Sequence, residues 1–180
     1  MFILKENLME KRIELTPDEF GKVNEVVSRF VQSGTVSTEP VMVIVMGPIA
    51  SGKTTIRREK YSQGYTLIDS GELMDVYKDE VASEEKLEGL LMVTGTELVR
   101  RTVTEKRNII IEITADTPEK AKRVEEITDK MTSLGYKVEI EYVDCDAEEC
   151  QRRNEKGRDN VSSYYSSDET LHYFLVYFAN

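Results

Sequence analysis

One glycine-rich stretch carries the clearest chemistry in the sequence. Gly52 follows Gly47 by five positions, and Lys53 and Thr54 come directly after it. In this spacing the glycines let backbone N–H groups curve around a phosphate, the lysine neutralises phosphate charge and the threonine hydroxyl can bind Mg²⁺. The stretch predicts a phosphate-binding loop with Thr54 as metal ligand, and its candidate contacts are Gly47, Pro48, Ile49, Ala50, Ser51, Gly52, Lys53, Thr54 and Thr55.

The residues on either side place this loop where its chemistry requires it. Residues 41–46 form a short, continuous apolar run, which is typical of a buried parallel strand, and a polar helical pattern follows Thr54. A helix N-terminus at that point adds the positive end of its dipole to the phosphate site. The context favours an ATP and Mg²⁺ site over a chance glycine-rich turn.

Two carboxylates follow at the ends of later predicted strands. Asp69 ends a strand over 65–69, and Glu112 lies near the end of a strand over 108–113. The carboxyl ends of parallel strands border the ligand crevice, so Asp69 could accept a proton from an acceptor hydroxyl, or it could cap the following helix. Glu112 could hold acceptor hydroxyls or Mg²⁺-bound water, or it could face solvent, and Thr114 is a further candidate for substrate binding.

A local excess of positive charge lies late in the chain, on a predicted helix over 147–156 that runs into a glycine-bearing loop. Guanidinium groups there could close over a triphosphate as a lid, because they can clamp two phosphate oxygens at once. A solvated helix face is the alternative. The predicted catalytic residues are therefore Lys53 and Asp69 with three lid arginines, Arg152, Arg153 and Arg158.

The order of elements predicts the fold. Further strand and helix patterns alternate along the chain, which indicates a three-layer α/β fold with a mostly parallel sheet, as in nucleotide kinases. A capped helix over 16–32 precedes the first strand, and residues 168–178 are read as helix rather than strand. We expect one domain over 1–180, with an N-terminal helical extension and connector over 1–40 and the lid over about 150–162.

Composition limits the partners. The net charge of −10 disfavours broad binding to nucleic acids or anionic membranes. The sequence has no apolar run long enough to span a bilayer, and the spacing of Cys145 and Cys150 matches neither a redox pair nor a zinc site. We therefore expect two ordinary thiols in a reducing compartment and a cytoplasmic protein.

Two other classes of nucleotide-binding protein fit the sequence poorly. GTPases read guanine through an Asn-Lys-x-Asp motif, and the sequence has no such tetrapeptide. Motor ATPases place paired acidic residues after an apolar strand, whereas Glu112 stands alone and an apolar residue follows it. A phosphotransferase remains the leading interpretation.

The chain resembles the zeta-toxin group of P-loop kinases, and more loosely chloramphenicol phosphotransferase and other small-molecule kinases. The likeness runs from about Leu15 to near the C-terminus, and the matching features occur in the same order: the segment 15–20, Pro40, the glycine-rich loop, Ile68-Asp69, the segment 110–112, the segment 134–136 and the arginines. The resemblance implies that Asp69 is the general base, that Glu112 helps to hold the substrate and that Arg152, Arg153 or Arg158 contacts phosphate. It also allows a protein inhibitor as partner if the chain is a toxin.

The predicted function is ATP-dependent transfer of the γ-phosphoryl group to a hydroxyl of a small metabolite, nucleotide sugar or nucleoside-like acceptor. One alternative is a kinase acting on a nucleic-acid hydroxyl, at a 5′ end or a hydroxymethylated base, which needs a basic or aromatic groove. The other is a non-catalytic regulatory module that only binds ATP.

Overall fold

The strands and helices alternate as the sequence predicts. The computed structural model describes residues 14–157 except 78, 80, 82, 115 and 116. Within them lie β1 (Val41–Met46), β2 (Thr66–Ile68), β3 (Ile109–Ile113) and β4 (Lys137–Tyr142), with helices α1 (Pro17–Gln32), α2 (Lys53–Lys60), α3 (Ser70–Tyr77), α4 (Glu84–Thr104), α5 (Pro118–Ser133) and α6 (Ala147–Gly157). The predictions for Arg158 and for the segment 168–178 concern residues outside this description.

All strand pairs of the sheet are parallel, and the strand order is β2-β3-β1-β4. The predicted α/β fold with a parallel sheet is therefore confirmed. Ile68 of β2 pairs with Ile111 of β3, and Val45 of β1 pairs with Glu112. Since Asp69 follows Ile68 and Glu112 follows Ile111, both candidate positions lie at the carboxyl edge of the sheet on neighbouring strands.

The two faces of the sheet are covered differently. On one face, Met42, Ile44 and Ile111 are fully buried in a large core that also includes residues of α1, α3, α4 and α5. On the other face, Val43 and Val45 pack in a smaller cluster with Ile56 of α2. Side chains of one strand alternate between these two cores, as in a three-layer fold.

The N-terminal helix begins where the sequence predicts. Thr16 Oγ1 accepts a hydrogen bond from the backbone N–H of Glu19 at 3.3 Å, and the Glu19 carboxylate accepts one from the Thr16 N–H at 2.7 Å. This reciprocal capping box satisfies two donors at the helix end. Val27 and Val31 of α1 are fully buried, and the helix packs against α4.

The two cysteines differ from expectation. Cys145 precedes α6 and Cys150 lies in its first turns, and the structure pairs them as a disulfide with Cα atoms 6.2 Å apart. The prediction of two ordinary thiols was wrong because the helix start folds position 150 back over the preceding loop. The reducing compartment inferred from free thiols therefore has no support from these residues.

Among the helices of residues 14–157 that are described, none has the length and apolar character that crossing a bilayer requires.

Candidate functional site

The phosphate-binding loop connects β1 to α2 and has a tightly constrained backbone. Gly52 has φ +103° and Ala50 has φ +59°, both in the left-handed region. A Cβ atom on Gly47 would lie 2.4 Å from the carbonyl oxygen of Val143 and 2.9 Å from Ser51 Oγ. Glycine is therefore required at position 47 by close packing and favoured at position 52 by conformation.

Polar groups in this loop are arranged for an anion. Lys53 Nζ donates hydrogen bonds to the carbonyl oxygens of Gly47 at 3.0 Å and Pro48 at 2.7 Å, so its ammonium lies folded across the loop. Ser51 Oγ is buried without a hydrogen-bond partner among the described residues. A buried orphan hydroxyl beside a lysine at a helix N-terminus fits a bound phosphate group. The loop therefore suits the triphosphate of ATP.

Glu112 lies against the predicted metal ligand. Its Oε2 accepts a hydrogen bond from Thr54 Oγ1 at 2.8 Å, and its Oε1 accepts one from Arg57 Nε at 2.5 Å. The Glu112 side chain is only 11% exposed, so it is not a charged strand end facing solvent. A hydroxyl and a carboxylate side by side next to a phosphate loop suit Mg²⁺, which takes oxygen ligands and usually keeps several waters.

Arg57 is a residue that the sequence analysis missed. Its guanidinium bonds to Glu112 and also lies 3.4 Å from Glu72 Oε1 in the first turn of α3. Its own side chain is 11% exposed, whereas that of the neighbouring Arg58 is 69% exposed. One signal was available, because Arg57 follows Thr54 by three positions and so lies on the same face of a helix.

Asp69 adopts the capping geometry that the sequence left open as an alternative. Its Oδ1 accepts a hydrogen bond from the Glu72 backbone N–H at 3.0 Å, at the start of α3. Its Oδ2 makes no hydrogen bond to another described residue. The cap is observed, and the role as general base stays a prediction. Thr114, directly after β3, is half-buried at the same edge.

The two arginines of α6 share a carboxylate partner, but within the described part of the chain only Arg153 reaches the phosphate loop. Arg152 and Arg153 both bond to Glu149, at 2.6 and 2.7 Å, and these hydrogen bonds lower the pKa of Glu149 to about 2. Arg153 also reaches the phosphate loop, where its Nη1 donates to the carbonyl oxygen of Ser51 at 3.5 Å. The structure thus brings Arg153 to the loop and leaves Arg152 on an exposed helix face.

Comparisons with known proteins agree with this geometry. Residues 42–174 match the AAA domain family AAA_33. No curated protein sequence matches the chain. One similar solved structure belongs to the PezAT chromosomal toxin–antitoxin system of Streptococcus pneumoniae, with TM-score 0.53 and 20% identity over 78% of this chain and 62% of that chain. Another belongs to the Pnkp1/Rnl/Hen1 RNA repair complex, with TM-score 0.51 and 16% identity over 79% of this chain and 45% of that one.

Both likenesses concern the fold, and this chain spans less than two thirds of each of those chains. The resemblance to the zeta-toxin group is confirmed at that level by the toxin–antitoxin structure. The match to AAA_33 covers well over half of the sequence, from β1 onwards. The chain therefore belongs to the AAA_33 family and is a P-loop kinase-like domain.

Proposed function

We propose that this protein is an ATP-dependent phosphotransferase whose acceptor is a hydroxyl of a small metabolite, a nucleotide sugar or a nucleoside-like molecule. One observation carries the proposal. Glu112 accepts a hydrogen bond from the Thr54 hydroxyl at 2.8 Å and lies near the end of β3, next to the strand that Asp69 follows, so the proposed metal ligands and the proposed base belong to one edge of the sheet. A module that only binds ATP would use Asp69 as a helix cap alone.

The residues of the phosphate loop have distinct proposed roles. Backbone N–H groups of the loop, such as those of Ala50 and Gly52, and the Lys53 ammonium would hold the β- and γ-phosphates, with Lys53 exchanging two carbonyl partners for phosphate oxygens. Thr54 and Glu112 would hold Mg²⁺ directly or through water. When bound there, Mg²⁺ would offset the negative charge of the phosphates.

The carboxylates at the sheet edge would act on the acceptor. Asp69 Oδ2 would accept the hydroxyl proton and orient the oxygen for in-line attack, while Oδ1 keeps α3 capped. Arg57 would hold Glu112 and Glu72 in place, and Arg153 would add positive charge beside the loop. The net charge of −10 favours a compact acceptor over a polyanion.

Transfer of label from γ-³²P-ATP tests this proposal directly. Nucleotide sugars, nucleosides and hydroxyl-ended oligonucleotides would be offered to the wild type and to Asp69→Asn, with Asp129→Asn, an exposed position on α5, as matched control. We expect a labelled small molecule from the wild type and the control, and about 10²-fold less from Asp69→Asn.

The other outcomes point elsewhere. If the label appears on the oligonucleotide, the acceptor is a nucleic-acid hydroxyl rather than a small molecule. Tight ATP binding without any labelled product would favour a regulatory module. Full transfer by Asp69→Asn would leave Asp69 as a helix cap only.

A further inference from the structure

A cleft of about 340 Å³ lies on the side of α2 that faces β2, away from the phosphate loop. Leu67 and Ile110 from the sheet form its floor, and Phe30 of α1 lines one side. Tyr61 and Tyr65 line another part, with ring centroids 5.6 Å apart and planes at 88°. The cleft therefore offers apolar and aromatic surfaces to a planar group.

Three arginines surround the same cleft. Arg58 is 69% exposed and its guanidinium lies 4.0 Å from Glu72 Oε1, whereas Arg29 is exposed with its guanidinium 5.3 Å from the centroid of the Phe30 ring. The third, Arg57, already pairs with Glu112 and Glu72, so its charge is largely offset. Within the described residues Arg29 forms no ion pair. In a chain of net charge −10, this cluster is a local positive site.

Tyr61 remains a neutral hydrogen-bonding group at ordinary pH. Burial raises the pKa of Tyr61, whose hydroxyl donates a weak hydrogen bond to Glu141 at 3.4 Å. That contact ties the Tyr61 ring to β4, and Ser33 Oγ donates to the Tyr65 carbonyl oxygen at 2.9 Å, which ties the start of β2 to α1. The Tyr61 side chain and the Tyr65 backbone are thus held in place before a ligand arrives. Little conformational entropy would therefore be lost on binding.

We propose that this cleft binds a small aromatic phosphate, with a planar ring against Phe30 and the tyrosine pair and with the phosphate on Arg29 and Arg58. The volume suits one ring system with one phosphate, because small-molecule sites begin at about 300 Å³. Guanidinium groups bind phosphate oxygens in pairs and stack against rings. The acidic chain opposes a polymer, so a single small molecule is favoured over a nucleic-acid strand.

The site is separate from the candidate active site. It is lined by the last turn of α2 and the start of β2, whereas the phosphate loop and the two carboxylates lie at the other ends of these elements. Arg57 is the one residue that both share. Binding in the cleft therefore needs neither ATP nor an acceptor, and it can be measured even if no phosphoryl transfer occurs.

Fluorescence anisotropy of 1-naphthyl phosphate tests the proposal, and the chain contains no Trp to interfere. We expect saturable binding in the presence of Mg²⁺ and a saturating non-hydrolysable ATP analogue. Arg29→Gln and Arg58→Gln should each raise the Kd about tenfold, because each removes a charge-assisted hydrogen bond. Phe30→Leu should raise it several-fold through lost ring contact. The control Lys122→Gln, exposed on α5, should leave Kd unchanged.

Two further ligands separate the features of the probe. Neither 1-naphthol nor inorganic phosphate should bind as well as the probe, since each lacks one half of it. Equal Kd values in all variants would overturn the proposal. Displacement of the probe by the ATP analogue would also overturn it, because the probe would then bind at the phosphate loop. If a short oligonucleotide binds far more tightly than the probe, the proposal of a small ligand is overturned in favour of a nucleic-acid strand. Circular dichroism of each variant separates lost binding from lost folding.

Discussion

Replacing Arg57 with glutamine would remove the guanidinium that joins α2, α3 and β3. Arg57 and Glu112 each have side chains only 11% exposed, so the substitution would leave a mostly buried carboxylate with Thr54 as its remaining donor. Breaking a buried ion pair costs about 3–5 kcal/mol, and the residual exposure and the Thr54 bond reduce this to about 3 kcal/mol. In a domain of this size the Tm should fall by about 6–12 °C.

Urea unfolding followed by far-UV circular dichroism would measure this effect in the wild type, Arg57→Gln, Glu112→Gln and the double variant. We expect a coupling free energy of about 1–3 kcal/mol between the two positions. Arg58→Gln is the matched control, because its 69% exposed side chain should change stability by less than about 0.5 kcal/mol. A coupling free energy near zero would refute the reasoning, since the two side chains would then not stabilise one another.

The remaining predictions concern the loop, the cap and the lid. Lys53→Ala should abolish phosphoryl transfer in the ³²P assay and weaken ATP binding measured by calorimetry. The substitution removes the ammonium group that lies across the phosphate-binding loop. Gly47→Ala should lower stability by about 1–3 kcal/mol in urea unfolding, because the added Cβ would lie 2.4 Å from the Val143 carbonyl oxygen. Asp69→Asn should keep the stability of the wild type, because Asn caps helices as well as Asp does. Asp69→Ala should unfold at a lower urea concentration, because it removes the cap. Equal stability of the two variants would argue against the cap. Glu149 has a folded-state pKa of about 2 against an ordinary 4.5, so its stabilising effect is complete above pH 4.5 and disappears as pH falls towards 2. The stability difference between the wild type and Glu149→Gln should therefore shrink as the pH falls from about 4.5 towards 2, and a constant difference would contradict the pairing with Arg152 and Arg153.

The fold and the phosphate loop could be predicted because their signals are local. A buried strand, a glycine-rich turn and a helix start follow one another between Val41 and Lys60, and each constrains its own short segment of chain. The capping box at Thr16 is local in the same way. The positions of Asp69 and Glu112 at strand ends followed from parallel pairing, which brings the carboxyl ends of strands to one edge.

The contacts between elements could not be predicted in the same way. That Arg57 bonds to Glu112, 55 positions away, depends on which face of α2 turns towards the sheet. The order of the strands decides that β2 and β3 are neighbours, and alternation of strands and helices leaves that order open. The cleft beside α2 depends on how α1 packs, and the cysteine pair depends on where α6 begins. Each of these is a property of tertiary packing rather than of a sequence window.

The cap made by Asp69 has a further consequence for the choice of acceptor. Because Oδ1 accepts a hydrogen bond from the Glu72 amide, rotation of the carboxylate is restricted. A base fixed in this way loses little side-chain entropy when an acceptor arrives. In its proposed role as general base, Asp69 would accept a proton from the side on which Oδ2 lies, so the rate would depend on the stereochemistry of the acceptor. Two epimers of one alcohol would differ in rate even where they bind equally well.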